Sequence, residues 1–326
     1  MARSKTAGGV AGGVINAVAG GGMFAVAKSG FDHLDPFHLV SARFVVAALV
    51  FVVLLAIKEG LGALGFDGRI LKLWWLGTIG FAGFNLFVYV GLQTIPSQSS
   101  ALVIATMPAL TVLAVWARSR KRPHAATLVF VAVALFGVAL VLGNGNPVSV
   151  VTGGVGFGGL LTLVGAAGWV FYSTGAAADF PDWSPLRYTT ITCLLGTVSI
   201  VVITAAASLM GWIPDAALGD YTASWWQILY MAIPASVIAM LGWFTALRTL
   251  GPANGALFVN LVPVTAFIVQ AFLGHVPTGP EIAGICLVIG ALVASNFHSR
   301  RRAAKDAGAA APKSSTTDDL PVPAGR

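Results

Sequence analysis

The feature that most constrains this chain is a series of ten apolar stretches of about 20 residues, at 8–28, 37–57, 72–92, 98–117, 125–143, 153–174, 187–209, 224–247, 254–273 and 280–297. At about 1.5 Å rise per residue, a helix of this length crosses a hydrocarbon layer about 30 Å thick. With 57% hydrophobic and 10% charged residues, the chain has too little polar surface for a soluble protein. The sequence predicts an all-α integral membrane protein with ten transmembrane helices.

The basic residues that flank these stretches are distributed on one side of the predicted membrane. If the N-terminus is cytoplasmic, the cytoplasmic segments contain Arg3, Lys5, Lys58, Arg69, Lys72, Arg118, Arg120, Lys121, Arg122, Arg187, Arg248, Arg300, Arg301 and Arg302. The opposite loops contain no Lys or Arg. Because cytoplasmic loops carry the excess of Lys and Arg, the asymmetry predicts a multi-pass protein of the inner membrane with both termini in the cytoplasm.

The sequence contains an internal repeat with an offset of 155 residues. Five identical pairs at this offset are Leu92 and Leu247, Thr94 and Thr249, Ala101 and Ala256, Leu102 and Leu257, and Pro108 and Pro263. Each half has five predicted helices, so the second half must enter the membrane from the opposite side. We therefore expect two inverted five-helix repeats at 8–143 and 153–297, between a cytoplasmic N-terminus at 1–7 and a disordered basic and polar tail at 298–326.

These features resemble the drug/metabolite transporter superfamily, and within it the ten-helix EamA-like carriers. The resemblance covers about residues 8–297 and is carried by Lys28, Asp35-Pro36, Arg43-Phe44, Pro108, Pro263, Gly137 and Gly290. It implies a secondary transporter that moves a small metabolite, such as an amino acid, by alternating access, in the direction of export or as an exchanger. It also implies a central cavity between the first, third, fourth, sixth, eighth and ninth helices.

Polar and aromatic residues recur at helical spacing on several of these helices. The candidate substrate-binding residues are Asn16, Phe24, Thr78, Phe81, Asn85, Tyr89, Trp169, Tyr172, Trp243 and Asn260. Polar groups inside a membrane serve either helix packing or transport, and both interpretations are open for the three asparagines. Counted along the helices, two of them, Asn85 and Asn260, lie on opposite sides of the membrane centre, within reach of one solute of amino-acid size.

Lys28 and Arg43 are basic residues inside the predicted helices, nearer to the outer end. One interpretation is structural, with the cations paired to Asp32 or Asp35 or extended towards the membrane surface. The other is an entrance at which positive charge attracts an anionic group of the substrate.

Three prolines inside predicted helices are expected to bend them. Pro108, Pro234 and Pro263 lack the N–H group that would bond to the carbonyl four residues earlier. Such bends are useful to a carrier that opens alternately to each side of the membrane.

The acidic residues restrict the expected substrate and coupling. All twelve fall in predicted loops, tails or the first turn of a helix, so no carboxylate is expected at mid-depth. Ion-coupled carriers usually place an ionisable group there, and a cationic substrate would need a counter-charge. A neutral or zwitterionic solute, moved without a requirement for a proton gradient, fits this pattern.

Other functional classes have little support in the sequence. The five histidines are scattered, the two cysteines lie inside predicted helices, and neither set has the spacing of metal ligands. We expect no enzyme activity, metal site, cofactor or nucleic-acid partner. The expected partners are a small-molecule substrate and the lipid bilayer, with the protein as a monomer or homodimer. An integral-membrane enzyme and a lipid-linked-sugar flippase of the same fold are the alternatives.

Overall fold

The computed structural model describes residues 2–120, 122, 125–149, 155–250, 258 and 261–310, and these residues contain helices and no β-strand. The principal helices are α1 (Ala2–Gly30), α2 (Pro36–Glu59), α3 (Ile70–Gly77, Thr78–Gly83 and Phe84–Leu92), α4 (Ser97–Ile104 and Met107–Ser119), α5 (Ala125–Leu142), α6 (Val155–Asp179), α7 (Pro185–Leu209), α8 (Trp225–Ala232, Ile233–Ile238 and Ala239–Leu250), α9 (Leu261–Phe272) and α10 (Gly279–Ala310). Short helices at Leu61–Leu64 and Leu218–Ala223 lie between α2 and α3 and between α7 and α8.

Helices α1 to α8 are each long and apolar enough to cross a membrane. The apolar parts of α9 and α10 are shorter, at Leu261–Phe272 and Gly279–Ser295. The predicted ninth span begins at residue 254, and residues 254–257, 259 and 260 lie outside the described part of the chain. The structure is therefore that of an all-helical, multi-pass membrane protein, and the number of ten spans stays a prediction.

Two helices begin at a polar residue followed by proline. Asp35 caps α2, where its side chain accepts hydrogen bonds from the backbone N–H groups of Phe37 and His38. Ser184 caps α7 in the same way and accepts from the N–H of Arg187. A proline in the first turn costs no hydrogen bond, because the first N–H groups of a helix have no partner within it. These short signals end the preceding loops and set the register of both helices.

Helices α3 and α8 each contain one π-helical segment, at Thr78–Gly83 and Ile233–Ile238. The two segments are offset by 155 residues, which is the offset of the sequence repeat. Pro234 lies at the start of the second segment, and Pro108 follows a break in α4 between Ile104 and Met107. Both prolines lie at irregular parts of their helices, and the bends expected at them stay predictions. Pro263 lies in the first turn of described α9, so its effect on the preceding residues is outside the described chain.

The packing pairs helices from different halves of the chain. Helix α1 packs against α8 and α9, and α6 packs against α3 and α4. Likewise α2 packs against α8 and α7 against α3, while α2 contacts α7 and α5 contacts α10. Exchanging each helix of the first half for its counterpart in the second half reproduces this set of contacts.

The contacts of α1 also define its direction relative to its neighbours. Gly12 meets Gly242 of α8, and the side-chain amide of Asn16, one turn later, donates to the carbonyl of Ala239 at 3.0 Å. These two helices are therefore antiparallel. On another face, Gly13 meets Phe258 and Gly21 meets Thr265, so α1 and α9 run parallel. Both relations are those of helices that cross a membrane in alternation.

Helix α10 continues to Ala310, into the segment 298–326 for which the sequence predicts disorder. Alanine has the highest helix propensity, and residues 303–310 contain five alanines, which explains why the helix can extend beyond its apolar part. The described part of this segment is helical, and residues 311–326 lie outside the described chain.

The close contact between α1 and α8 predicts a large effect of a single methyl group. A Cβ atom added at Gly12 would lie 2.6 Å from the carbonyl oxygen of Gly242, whereas one added at Gly8 would have no neighbour within 4 Å. We expect Gly12→Ala to destabilise the protein by about 1–3 kcal/mol through overpacking, and Gly8→Ala to be neutral or slightly stabilising. Thermal melting in detergent checks this, and equal melting temperatures for the two variants would contradict the packing described here.

Candidate functional site

The interior of the bundle contains a buried arginine. Arg43 of α2 is only 3% exposed. Its Nη1 donates to the hydroxyl of Tyr89 and contacts the sulfur of Met23, both at 3.0 Å. Its Nη2 donates to the side-chain oxygen of Asn85. The guanidinium thus joins α1, α2 and α3.

No described acidic side chain forms an ion pair with Arg43, whose hydrogen-bond partners are all neutral. Its Nε has no partner among the described residues. The guanidinium carbon lies 4.3 Å from the ring centre of Phe44 and 5.2 Å from that of Tyr89, and such cation–π contacts contribute up to about 2 kcal/mol when desolvated. Because its described partners are neutral, Arg43 keeps an uncompensated positive charge. Burial of such an unpaired charge costs several kcal/mol.

The acceptor side of this cluster is held by the irregular part of α3. The side-chain amide of Asn85 donates to the carbonyl of Phe81 at 2.8 Å, which turns its oxygen towards Arg43. Phe81 lies within the π-helical segment, where the backbone hydrogen-bond pattern is interrupted. Tyr89, one turn beyond Asn85, packs edge-on against Phe31 with ring centres 6.4 Å apart.

Aromatic residues of α3 and α6 form a wall beside the arginine. Phe81 contacts Phe44 at 5.5 Å between ring centres, Trp169 at 5.8 Å and Tyr172 at 5.3 Å. Tyr172 also shares a hydrogen bond with the hydroxyl of Thr192 on α7 at 3.0 Å. The wall continues the apolar side of the cluster towards the second half of the chain.

The structure thus brings Arg43, Asn85, Tyr89 and Phe81 into direct contact, with Trp169 and Tyr172 behind them. Phe24 belongs to the same buried cluster.

Other predicted site residues lie elsewhere. Thr78 faces α7, where its hydroxyl bonds with that of Ser199 at 2.7 Å. Asn16 bonds to α8 and Trp243 is half-buried on α8. Asn260 lies outside the described residues, so its expected position opposite Asn85 stays a prediction.

One of the open interpretations, the pairing of Lys28 and Arg43 with Asp32 or Asp35, is wrong, and the entrance role of the two cations stays a prediction. Arg43 points into the protein instead of towards a loop, and Asp35 is occupied by the start of α2. The ammonium of Lys28 donates to the backbone carbonyl of Ile95 at 3.0 Å. The oxygens that accept hydrogen bonds from these two cations are therefore neutral.

A pocket lies at one end of the bundle, near the α1–α2, α3–α4 and α9–α10 loops, and we call it the Lys28 pocket. Its volume is about 420 Å³, and it is lined by Ala25, Lys28, Ser29, Pro96, Ser97, Gln98, Gln270, Leu273, His275 and Glu281. This volume lies within the range of small-molecule sites, about 300–1,000 Å³. The pocket is open towards the loops and has both an ammonium and a carboxylate in its lining.

Residues 7–143 and 156–297 match the EamA-like transporter family. The chain belongs to this family. Two Bacillus subtilis (strain 168) relatives are called "Uncharacterized transporter YrdR" and "Uncharacterized transporter YyaM", and they are 28% and 27% identical to this chain. The alignments cover 86% of this chain and 88% of YrdR, and 84% of this chain and 89% of YyaM. The names point to a transporter rather than an enzyme.

A solved crystal structure shares the fold of this EamA-like protein. The two chains superpose with a TM-score of 0.61 at 21% identity, covering 91% of this chain and 99% of the other. At this identity the likeness shows the fold alone.

The sequence did not predict a polar network around Glu281 in this EamA-like protein. His275, which lacks the spacing of a metal ligand in the sequence, lies with its Nε2 2.9 Å from one carboxylate oxygen of Glu281, and the other oxygen accepts from Gln98 at 3.1 Å. The N–H of Thr278 donates to the same carboxylate at 2.8 Å. The spacing of Thr278 and Glu281 before an apolar stretch is that of a helix capping box, a signal that could have located this carboxylate.

The bond between Arg43 and Asn85 predicts unequal effects of two asparagine substitutions. Asn85→Ala removes an acceptor from a buried cation and should cost about 1.5–3 kcal/mol, whereas Asn16→Ala removes a neutral bond worth about 0.5–1.5 kcal/mol. We therefore expect the larger fall in melting temperature for Asn85→Ala. Thermal unfolding of the two purified variants beside wild type provides the measurement, and an Asn85→Ala protein as stable as wild type would contradict this role.

Proposed function

We propose that this EamA-like protein is a secondary transporter that moves a small zwitterionic or neutral metabolite of amino-acid size across the inner membrane by alternating access, as an exporter or exchanger. The observation that carries the proposal is the exchange of contacts between the two halves. A bundle in which α1 packs on α8 as α6 packs on α3 can open at either end by equivalent movements. The matched π-helical segments of α3 and α8 support an inverted repeat of two five-helix units.

The arrangement of the polar groups supports the same cycle. The Lys28 pocket is open at one end of the bundle, while Arg43 and the Asn85 and Tyr89 side chains that bond to it are buried inside the bundle. A solute would enter the pocket and reach Arg43 when α1, α2 and α3 separate. It would leave when the opposite end of the bundle opens. The pocket lining combines a positive and a negative group, which supports a zwitterion as the solute that passes it.

A carrier is favoured over a lipid-linked-sugar flippase by the position of the polar groups. A flippase needs a polar groove that is open to lipid. Here Arg43 and Asn85 are enclosed by α1, α2 and α3, with exposed fractions of 3% and 1%.

The ten-span topology predicts which loops are accessible from outside the cell. In a background that lacks Cys193 and Cys286, cysteines replacing Asn146 and Asp215 should react with a membrane-impermeant maleimide added to whole cells. A cysteine replacing Gly62 should react only after lysis. All three positions are exposed in the structure, so a lack of reaction reports the membrane and not burial. Labelling of the Gly62 position from outside would overturn the topology.

Transport itself is tested with purified protein in liposomes. We expect liposomes preloaded with unlabelled neutral amino acids to accumulate a labelled one by exchange, without an imposed pH gradient, because no carboxylate is expected at mid-depth. Liposomes without protein give the background rate. Uptake that requires a pH gradient and stops with a protonophore would contradict the absence of coupling. In that case Glu281→Gln would test whether the carboxylate of the Lys28 pocket carries the proton.

A further inference from the structure

We infer that Arg43 is the group that recognises a carboxylate of the transported solute, so that the substrate class is the small carboxylates, amino acids included. This inference rests on the proposed function, and it adds a specific residue and a specific chemical group. Three properties of the arginine support it: its burial without an anion, the unfilled edge of its guanidinium, and its position relative to the Lys28 pocket.

The first property is charge. A guanidinium is always protonated in proteins, and Arg43 is buried among neutral partners: an amide oxygen, a phenol hydroxyl and a thioether. A purely structural role would be filled better by a neutral side chain or by an arginine with an acidic partner. An uncompensated buried cation instead binds an arriving anion favourably, because the anion supplies the missing counter-charge.

The second property is the pattern of filled donors. Nε and Nη2 form the side-on edge of the guanidinium, which binds a carboxylate through two parallel hydrogen bonds. In this structure Nη2 bonds to the single oxygen of Asn85, and Nε has no partner within the described part of the chain. One edge is therefore half filled by a neutral oxygen. A carboxylate supplies two oxygens and a negative charge to the same edge.

The third property is access. Met23, which contacts the guanidinium, lies on α1 five residues before Lys28, a distance of about 7.5 Å along the helix. Methionine is flexible and can change its conformation at low cost, so it can act as a movable cover. A solute that leaves the Lys28 pocket along α1 reaches Arg43 within two helical turns.

The experiment compares each of several zwitterionic amino acids with its carboxamide, which keeps the ammonium and the side chain but lacks the carboxylate. Both compounds compete with a labelled amino acid for exchange into liposomes that contain the full chain. We expect wild type to be inhibited at least tenfold more strongly by the carboxylate than by the amide, since a charge-assisted pair of hydrogen bonds is lost.

The decisive variant is Asn85→Asp, which places a carboxylate beside Arg43 with almost no change in shape. It loses the hydrogen bond that the amide donates to the carbonyl of Phe81 but gains an ion pair with Arg43, so we expect a folded protein. Its exchange of amino acids should fall at least tenfold, because the arginine is already neutralised. Arg43→Lys keeps the charge but not the two-pronged edge, and should lose most of the preference for carboxylate over amide. Gly8→Ala, where the added Cβ has no neighbour within 4 Å, is the control and should keep the preference of wild type.

The possible failures are distinguishable. A folded Asn85→Asp protein that exchanges amino acids at the wild-type rate overturns the role of Arg43, as does an Arg43→Lys protein that keeps the wild-type preference for carboxylate over amide. A wild-type protein that transports amides as readily as amino acids overturns the inference alone. A wild-type protein that moves none of these solutes contradicts the proposed function itself.

Discussion

The absence of water inside the bilayer is the constraint on which the rest of this structure depends. Every backbone N–H and carbonyl in that layer must find a partner in the protein, which explains why the described apolar stretches are helices. The departures from regular helix are confined to short segments, in α3, in α4 and in α8. In α3 the irregular segment is also where a side chain, Asn85, takes up a backbone carbonyl.

The same constraint gives the buried arginine its importance. In water Arg43 would need no partner, but in the bundle its donors attract whatever acceptors α1 and α3 can offer. Those acceptors are neutral. The acidic residue nearest along the chain, Asp35, instead accepts hydrogen bonds from the backbone at the start of α2. The positive charge thereby becomes a property of the interior, available to any anionic group that reaches it.

Much of the fold could be predicted from the sequence, because span length and hydropathy are local properties. The positions of α1 to α8 followed from apolar stretches, whereas the caps at Asp35 and Ser184 that start α2 and α7 were not predicted. Contacts between different helices were harder to predict, as the interpretation that paired Arg43 with Asp32 or Asp35 shows. The network of Glu281 was missed for the same reason, since Gln98 is distant in sequence.

The predicted polar stripe on α3 shows why the neighbours of a side chain are hard to predict from helical spacing. Thr78, Asn85 and Tyr89 fit one face of a regular helix, yet Thr78 bonds to α7 while the other two bond to α2. The π-helical segment that begins at Thr78 explains the split. It contains one more residue per turn than expected, which rotates the following residues by about 100° relative to a regular helix. Composition and period alone do not reveal such an insertion.

The matched π-helical segments have a further consequence for the energetics of a two-sided carrier. A wide turn lacks the regular hydrogen-bond ladder, so the helix can change its angle there with fewer bonds broken. Because α3 and α8 carry this turn at equivalent places, a tilt of one half has a counterpart in the other half of similar cost. The inward-open and outward-open states would then be close in free energy, and a bound solute could redistribute their populations with only a few kcal/mol of binding energy.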